Sequence, residues 1–284
     1  MVDWSSNIFH WNTKTHWHAD LNFYKRFNGI PSTHIWCHME VHYLSEPKFR
    51  NPVMIAAWPG MGYLAKISAD YLRRRLRAEL FAEIAYFQNA IVYKNSLVEL
   101  PPLKHRFYAV PRRHLIICVG DAQPSTPEEA LRLAEKVTDV ATRFNVKRIY
   151  TMAAYPNEYD SEPQVYGVYT DERIRDELEG NGVVFIEGEG TVNGLNGILI
   201  GVAKNRGIEG VCLMGEIKYA NVPQHLSSKA VLERLTKILG LEIDTSQLER
   251  RAKKIDATIR KNLGEYEEYE QPLKKDEKAL KYIS

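Results

Sequence analysis

One short stretch of this sequence constrains the fold more than any other. Pro52 opens an apolar run at residues 53–58 (Val-Met-Ile-Ala-Ala-Trp), which is too short for a helix and suits a strand buried on both faces. The run ends at Pro59-Gly60-Met61-Gly62, and apolar residues then recur at helical spacing as far as Leu72. A strand, a glycine turn and a helix make the first half of a βαβ unit, so the stretch predicts an α/β fold.

The glycine turn has a functional and a structural interpretation. Gly60 and Gly62 permit positive φ and close approach of another group, and the free N–H groups at a helix start suit a phosphate or carboxylate. The third glycine of a dinucleotide fingerprint and the Lys-Ser/Thr pair of a P-loop are both missing. Because a sharp strand-to-helix turn favours glycine in any case, the structural interpretation is the stronger one.

The composition is that of an ordinary globular protein. The 284 residues are 44% hydrophobic and 26% charged, with a formal net charge of +2, so they can bury a large core and indicate no nucleic-acid partner. No apolar run approaches the ~20 residues of a membrane span. Cys37, Cys118 and Cys212 lie far apart, which favours reduced thiols and a cytoplasmic location over a disulfide framework.

The sequence divides into four regions. Residues 1–38 hold four of the five tryptophans and five of the nine histidines without any periodicity, so we expect a non-native or disordered extension and a start at Met39. Residues 39–243 are expected to form the α/β domain, 244–263 an oligomerisation helix and 264–284 a flexible tail.

Further strands and helices alternate along the α/β region. Residues 40–44 suit an edge strand, residues 106–110 and 114–119 suit a hairpin, and residues 97–103 suit a loop. Thr126, Pro127 and Glu129 form the start signal of a long helix with a capping box. Later strands are predicted near residues 146–153, 165–170, 183–186 and 210–214. The alternation predicts a three-layer α/β fold with a mainly parallel or mixed central sheet.

Ligands of such sheets bind beyond the carboxyl ends of the strands. Three glycine-containing turns and one acidic residue are expected there, and they supply the candidate crevice residues Gly60, Gly62, Asp121, Gln123, Gly190 and Glu216. Two facing carboxylates among Asp121, Glu187, Glu189 and Glu216 could act as acid and base or hold Mg²⁺, but carboxylates beside glycine turns more often bind neighbouring N–H groups. Because no catalytic or metal-binding motif is found, the sequence predicts no catalytic residue, no metal ligand and no cofactor.

Two charged segments have open interpretations. The basic run at residues 73–77 could bind an acidic partner, although a solvated helix face paired with Glu79 and Glu83 is favoured. The charged helix at residues 244–263 has Ser246 and Glu249 as a possible capping box. Its narrow apolar stripe is expected to pack against a helix of the same chain or of a partner subunit, with the oligomerisation candidates Leu248, Ile255 and Ile259.

Several motifs in order carry a resemblance to a known family. They are residues 51–53 with 58–62, Gly120-Asp121-Ala122-Gln123-Pro124, Gly194-Leu195-Asn196-Gly197, and residues 213–216 leading to 243–244. With these motifs the chain resembles the proteasome assembly chaperone 2 family from about Tyr43 to Asp244. The resemblance implies a fold similar to purine nucleoside phosphorylases without their catalytic set, and homo-oligomers in archaea. It also implies a chaperone role on proteasome α-subunits.

The resemblance favours a non-catalytic, oligomeric protein that binds proteasome α-subunits. The chain ends Leu280-Lys281-Tyr282-Ile283-Ser284, which is similar to the hydrophobic–tyrosine–any-residue ending of proteasome-binding proteins but one position out of register. Leu280, Tyr282 and Ile283 are therefore the candidate partner-binding residues. The alternative is an enzyme of ATP-grasp or phosphorylase-like type that binds a nucleotide or nucleoside in the strand-end crevice.

Overall fold

The computed structural model describes residues 39–87, 90–157 and 159–259. The strands are β1 (Glu40–Tyr43), β2 (Val53–Ala57), β3 (Glu79–Tyr86), β4 (Val92–Lys94), β5 (Leu97–Glu99), β6 (Leu103–Val110), β7 (Leu115–Gly120), β8 (Arg148–Pro156), β9 (Val165–Tyr169), β10 (Val184–Phe185) and β11 (Glu209–Ile217). The helices are α1 (Leu64–Arg75), α2 (Pro127–Arg143), α3 (Arg175–Gly180), α4 (Leu195–Asn205), α5 (His225–Ile238) and α6 (residues 246–259).

A nine-stranded mixed sheet forms the centre of the molecule, in the order β1-β3-β6-β7-β2-β8-β11-β9-β10. Four neighbouring strands, β7, β2, β8 and β11, run parallel, and β2 lies between β7 and β8. On either side of them, the β6–β7 and β9–β11 pairs are antiparallel. The predicted mainly parallel or mixed sheet is therefore confirmed. Its parallel part includes β2, the strand that ends at the glycine turn.

Helices cover both faces of this sheet, which confirms the three-layer arrangement. Along β2, Met54 and Ala56 face the core formed with α2 and α4, while Ile55 and Ala57 face the core formed with α1 and α5. All four side chains have no solvent exposure. Because both faces of the strand are buried, its sequence is a continuous apolar run rather than an alternating one.

The start of α2 follows the predicted signal closely. Thr126 is the N-cap, and its hydroxyl accepts from the Glu129 N–H at 3.2 Å. The Glu129 carboxylate accepts from the N–H of Ser125 at 3.2 Å, one residue before the group that a standard capping box uses. Pro127 occupies the first helical position, where no N–H is needed.

One sequence prediction within the sheet region is wrong. Residues 97–103 were expected to form a loop, but β5 pairs with β4 in a hairpin outside the main sheet. The hairpin exposes apolar side chains on both faces (Ile91, Val92, Tyr93, Leu97 and Val98 are each more than half exposed), so it lacks the alternation that marks a half-buried strand. β9 is antiparallel to β11 and parallel to β10, in agreement with the predicted mixed sheet.

The expected capping box of α6 is also wrong. Ser246 is the first helical residue, and its N–H donates to the Asp244 carboxylate at 2.9 Å. Glu249 instead forms ion pairs with Lys229 at 3.3 Å and Lys253 at 2.8 Å. The acidic side chain two residues earlier takes the cap because it reaches the first free N–H of the helix.

The basic run at the end of α1 does not pair with Glu79 and Glu83 as expected. Arg73 pairs with Asp70 at 3.2 Å, and Arg75 pairs with Asp244 at 3.2 Å. The tertiary packing of the chain ahead of α6 against α1 supplies Asp244, which sequence spacing alone could not indicate.

The expectations for residues 1–38 and 264–284, including Leu280, Tyr282 and Ile283, lie outside the described residues. Among the described residues, no helix is both long and apolar enough to cross a membrane. Cys118 and Cys212 are free and buried, and burial raises the pKa of both thiols, that of Cys212 to about 11.

Candidate functional site

The turn after β2 is closed by the chain that follows β11. The N–H of Gly62 donates to the Ala220 carbonyl at 2.6 Å, and the N–H of Gln224 donates to the Gly62 carbonyl at 2.8 Å. Gly62 has φ of +62°, and a Cβ there would lie 2.5 Å from Cγ of Gln224. Glycine is required at this position because a neighbouring segment of the same chain packs directly against it.

Gln123 joins two of the three predicted turns. Its Nε2 donates to the Pro59 carbonyl at 2.7 Å, and its Oε1 accepts from the N–H of Leu195 at 2.9 Å. A Cβ on Gly60 would lie 3.7 Å from Nε2, and one on Gly194 would lie 2.4 Å from Oε1. The structure thus brings the predicted residues Gly60 and Gln123 together, and the Gln123 amide fills the space between the turns.

Asn196 is an important residue that the sequence predictions missed. Its side-chain oxygen accepts from the Trp58 N–H at 3.1 Å, and its Nδ2 donates to the Trp58 carbonyl at 3.3 Å. Trp58 lies one residue beyond the last β2–β7 pair, Ala57 with Val119, so the amide continues the hydrogen bonding of the strand. The signal for it in the sequence is the Gly-Leu-Asn-Gly motif at the start of α4, which contributes to the family resemblance but does not indicate what the asparagine binds.

A buried polar cluster lies under the same turn. The indole N–H of Trp58 donates to Nδ1 of His105 at 2.9 Å, and Tyr86 stacks on the imidazole with ring centroids 5.5 Å apart. His105 is fully buried, and desolvation, reinforced by Arg106 and Lys66, lowers its pKa to about 3. A Cβ on Gly120 would lie 2.1 Å from the indole Cδ1, so Gly120 leaves room for Trp58.

Glu216 is a buried carboxylate whose oxygens are already occupied. Oε1 accepts from Nδ2 of Asn157 at 2.7 Å and from the hydroxyl of Tyr166 at 3.1 Å. Oε2 accepts from the N–H of Gln164 at 2.8 Å. Its backbone carbonyl accepts from the hydroxyl of Ser227. Three donors around a side chain that is 3% exposed stabilise a buried charge, so the geometry gives Glu216 a structural role in tying β8, β9 and β11 together.

The other candidate acids do not join Glu216. Asp121 forms an ion pair with Arg106 at 2.8 Å, and Glu187 and Glu189 are exposed. A Cβ on Gly190 would meet no heavy atom within 4 Å, so nothing packs against this predicted site residue. No group of three or more His, Cys, Asp or Glu residues able to hold a metal ion is found in the described part of the chain.

This arrangement is poorly suited to holding an anion. The N–H groups of Trp58, Gly62 and Tyr63 donate to protein acceptors, and that of Leu195 donates to Gln123. A phosphate at the turn would have to displace these contacts, since the donors are satisfied inside the fold. The part of the predicted crevice around Gly60 and Gly62 is therefore a packed junction of β2, α4 and the β11–α5 connection.

The apolar stripe of α6 is divided between two environments. Leu248 is completely buried in the core of its own chain, and Ala252 is 8% exposed. Ile255 and Ile259 are half-buried and line a cavity of about 30 Å³ with Tyr159, Tyr219 and Leu226. The burial of Leu248 thus comes from packing within one chain, while Ile255 and Ile259 remain candidates for contact with a partner.

Comparison with known proteins places this arrangement in a family. The sequence model of the PAC2 family matches residues 54–263. An uncharacterized protein of Methanocaldococcus jannaschii is 27% identical over 216 residues, which are 74% of this chain and 83% of the relative.

Two solved structures from Pyrococcus furiosus are similar. PbaB, described as an archaeal proteasome activator, is 34% identical with a TM-score of 0.69, covering 78% of this chain and 98% of PbaB. PbaA, described as an archaeal homolog of proteasome-assembly chaperone, is 23% identical with a TM-score of 0.66, covering 86% of this chain and 99% of PbaA. Because the family match spans most of the α/β domain and the PbaB match confirms both sequence and fold, the chain belongs to the PAC2 family.

Proposed function

We propose that this protein is a non-catalytic, oligomeric protein that binds the proteasome in the manner of an assembly chaperone or activator. The observation that carries the proposal is the 34% identity to PbaB, described as an archaeal proteasome activator, over nearly the whole PbaB chain. The likeness to PbaA adds support at the level of the fold.

The state of the strand-end crevice agrees with a binding role. Gln123, Asn196 and Gln224 fill or close the glycine turn from three sides, and the carboxylate of Glu216 is held by structural donors. In a binding protein these internal contacts make the domain rigid. The client is then bound by exposed surfaces and by the chain beyond α6.

We propose that the client is the proteasome α-subunits and that the tail residues Leu280, Tyr282 and Ile283 make the contact. A tail that follows the α/β domain can enter a pocket at a distance from it, and an aromatic side chain between two aliphatic ones gives an apolar anchor of high contact area. The half-buried Ile255 and Ile259 of α6 are assigned to self-association.

The test is a binding titration with purified proteasome α-subunits. Deleting residues 282–284 should weaken binding at least about tenfold, equivalent to ~1.4 kcal/mol. Tyr282→Ala should reproduce most of this loss, whereas Lys281→Ala, in the same tail, should leave the dissociation constant nearly unchanged. If the affinity is unchanged by the deletion, the contact is made by the folded domain instead of the tail. If the full-length protein does not bind α-subunits, the proposal is wrong.

The enzyme alternative is not favoured by any observation in the described residues. It predicts turnover of a nucleotide or nucleoside that depends on Asp121 or Glu216. Steady turnover that Asp121→Asn or Glu216→Gln abolishes while the fold stays intact would favour the enzyme over the binding protein.

A further inference from the structure

The amino-terminal edge of the parallel sheet carries a row of basic side chains that the proposed function does not use. The turns and connections that precede β3, β7, β2 and β8 place there Arg77, Arg112, Arg113, Arg50 and Lys147. We call these five residues the basic edge. All five are exposed.

Hydrogen bonds between neighbouring segments fix the backbone at two positions of the basic edge. The N–H of Arg50 donates to Nδ1 of His114 at 3.1 Å, which holds Arg50 beside the turn containing Arg112 and Arg113. The N–H of Lys147 donates to the Pro52 carbonyl at 2.9 Å. The backbone that carries these two basic residues is therefore attached to the edge of the sheet.

The charge of this edge is not neutralised within the described residues. No ion pair found among residues 39–87, 90–157 and 159–259 involves any of its five members. Three other basic residues close to these segments in the sequence are paired: Arg75 with Asp244, Arg143 with Glu46, and Arg148 with Glu177 and Glu209. Five cations along one sheet edge, none of them paired within the described part of the chain, give a positive potential that favours an acidic ligand.

The same chain contains a segment that complements this edge. Residues 265–270 read Glu-Tyr-Glu-Glu-Tyr-Glu, with four carboxylates and two tyrosines. From β3 to β8 the sheet order includes four inter-strand steps, which span ~19 Å at ~4.8 Å each. Six extended residues cover ~20 Å at ~3.4 Å each. The segment therefore matches the edge in both charge and length.

The direction of α6 favours a segment from another copy. α6 begins next to Asp244, which pairs with Arg75 near the basic edge, and Ile259 lines a cavity with Tyr219 beyond the opposite end of β11. Its 14 helical residues from 246 to 259 span ~21 Å. Six residue-to-residue steps join residue 259 to residue 265 and span at most ~20–22 Å, so residue 265 of the same chain reaches the edge only if this connection runs back along α6 fully extended, a restriction that a segment from another copy does not have.

We propose that the basic edge of one subunit binds residues 265–270 of a second copy of this chain. The contact joins two different surfaces of the subunit, so it is a heterologous interface of the kind that closes into a ring. Tyr266 and Tyr269 can stack on the arginine side chains while the glutamates pair with them.

The first test uses a labelled peptide of residues 264–271. The receptor is the full-length protein carrying Glu267→Gln and Glu268→Gln, so that its own segment neither competes at the basic edge nor pairs with an edge that carries glutamates. Adding Arg112→Glu and Arg113→Glu to this receptor should weaken peptide binding about tenfold, because several exposed ion pairs of modest strength are lost together. The matched control, Lys94→Glu with Lys218→Glu, removes the same charge elsewhere and should change binding less than about twofold.

The second test measures mass by sedimentation over a range of protein concentrations. Association of the wild-type protein should weaken when salt rises from about 0.05 M to about 0.5 M, because exposed charges are then screened. Arg112→Glu with Arg113→Glu should dissociate the assembly. Combining that pair with Glu267→Lys and Glu268→Lys should restore it, since the charges are then exchanged.

Three results would overturn the proposal. The first is peptide binding that does not respond to Arg112→Glu with Arg113→Glu. The second is single-stranded DNA of equal charge binding the edge more tightly than the peptide, which would identify a nucleic-acid surface. The third is a wild-type protein that has the mass of one chain at every concentration and excludes the peptide, which would mean that its own segment occupies the edge. Because no proteasome is present, these outcomes do not test the proposed binding of proteasome α-subunits, although the third would also contradict the self-association assigned to Ile255 and Ile259.

Discussion

Replacing Asn196 by alanine is expected to destabilise the protein more than any other polar substitution at the β2 turn. The side chain is 5% exposed and satisfies both the N–H and the carbonyl of Trp58, a residue without solvent exposure. Alanine leaves two buried backbone groups without partners, each costing ~1–3 kcal/mol. We therefore expect the free energy of unfolding to fall by about 2–6 kcal/mol.

The measurement is urea unfolding followed by tryptophan fluorescence and far-UV circular dichroism. For a domain of this size, a loss of about 3 kcal/mol corresponds to a decrease of about 10 °C in melting temperature, which calorimetry can confirm. Asn205→Ala in the same helix removes an identical side chain at an exposed position and should stay within about 0.5 kcal/mol of wild type.

Asn196→Asp separates the two hydrogen bonds. Aspartate keeps an acceptor for the Trp58 N–H but loses the donor to the Trp58 carbonyl and adds a buried charge, so it should also destabilise the protein. The reasoning is refuted if Asn196→Ala and Asn205→Ala have the same unfolding free energy, because the amide would then contribute nothing to the end of the strand.

Two other predictions concern pH and assembly. The pKa of His105 is lowered to about 3 by burial, whereas an unfolded histidine has a pKa near 6.5, so only the unfolded state gains this proton between these values and stability falls as pH decreases. Between pH 7 and pH 5 this residue should cost about 2 kcal/mol in urea unfolding, and a His105→Gln variant that loses as much stability as wild type would contradict the assignment. Ile255→Asp with Ile259→Asp should reduce the mass measured by light scattering while circular dichroism stays native, whereas an unchanged mass would assign both residues to packing within one chain.

The sequence alone determined the architecture because its signals are local. The continuous apolar runs of β2 and β7 indicated strands buried on both faces, and both lie in the parallel centre of the sheet. The Thr126-Pro127-Glu129 signal located the start of α2 to the residue, since capping depends only on groups within one turn. The motifs in order also identified the family, which a match over residues 54–263 confirms.

The tertiary structure decided what the glycine turns do. Sequence spacing indicated that Gly60, Gln123 and Glu216 lie at strand ends, but not that Gln123 bonds to Pro59 and Leu195 or that Glu216 is held by β8 and β9. Such contacts join residues 50 or more positions apart, and no local periodicity records them.

The same reason explains the remaining errors and the basic edge. The β4–β5 hairpin is exposed on both faces and so leaves no burial pattern, and Asp244 reaches Arg75 only because the chain ahead of α6 packs against α1. Arg50, Arg77, Arg113 and Lys147 are separated by tens of residues in the sequence. They form one surface because parallel strands begin at the same edge of a sheet, and the strand order, which fixes their sequence along that edge, is set by long-range packing.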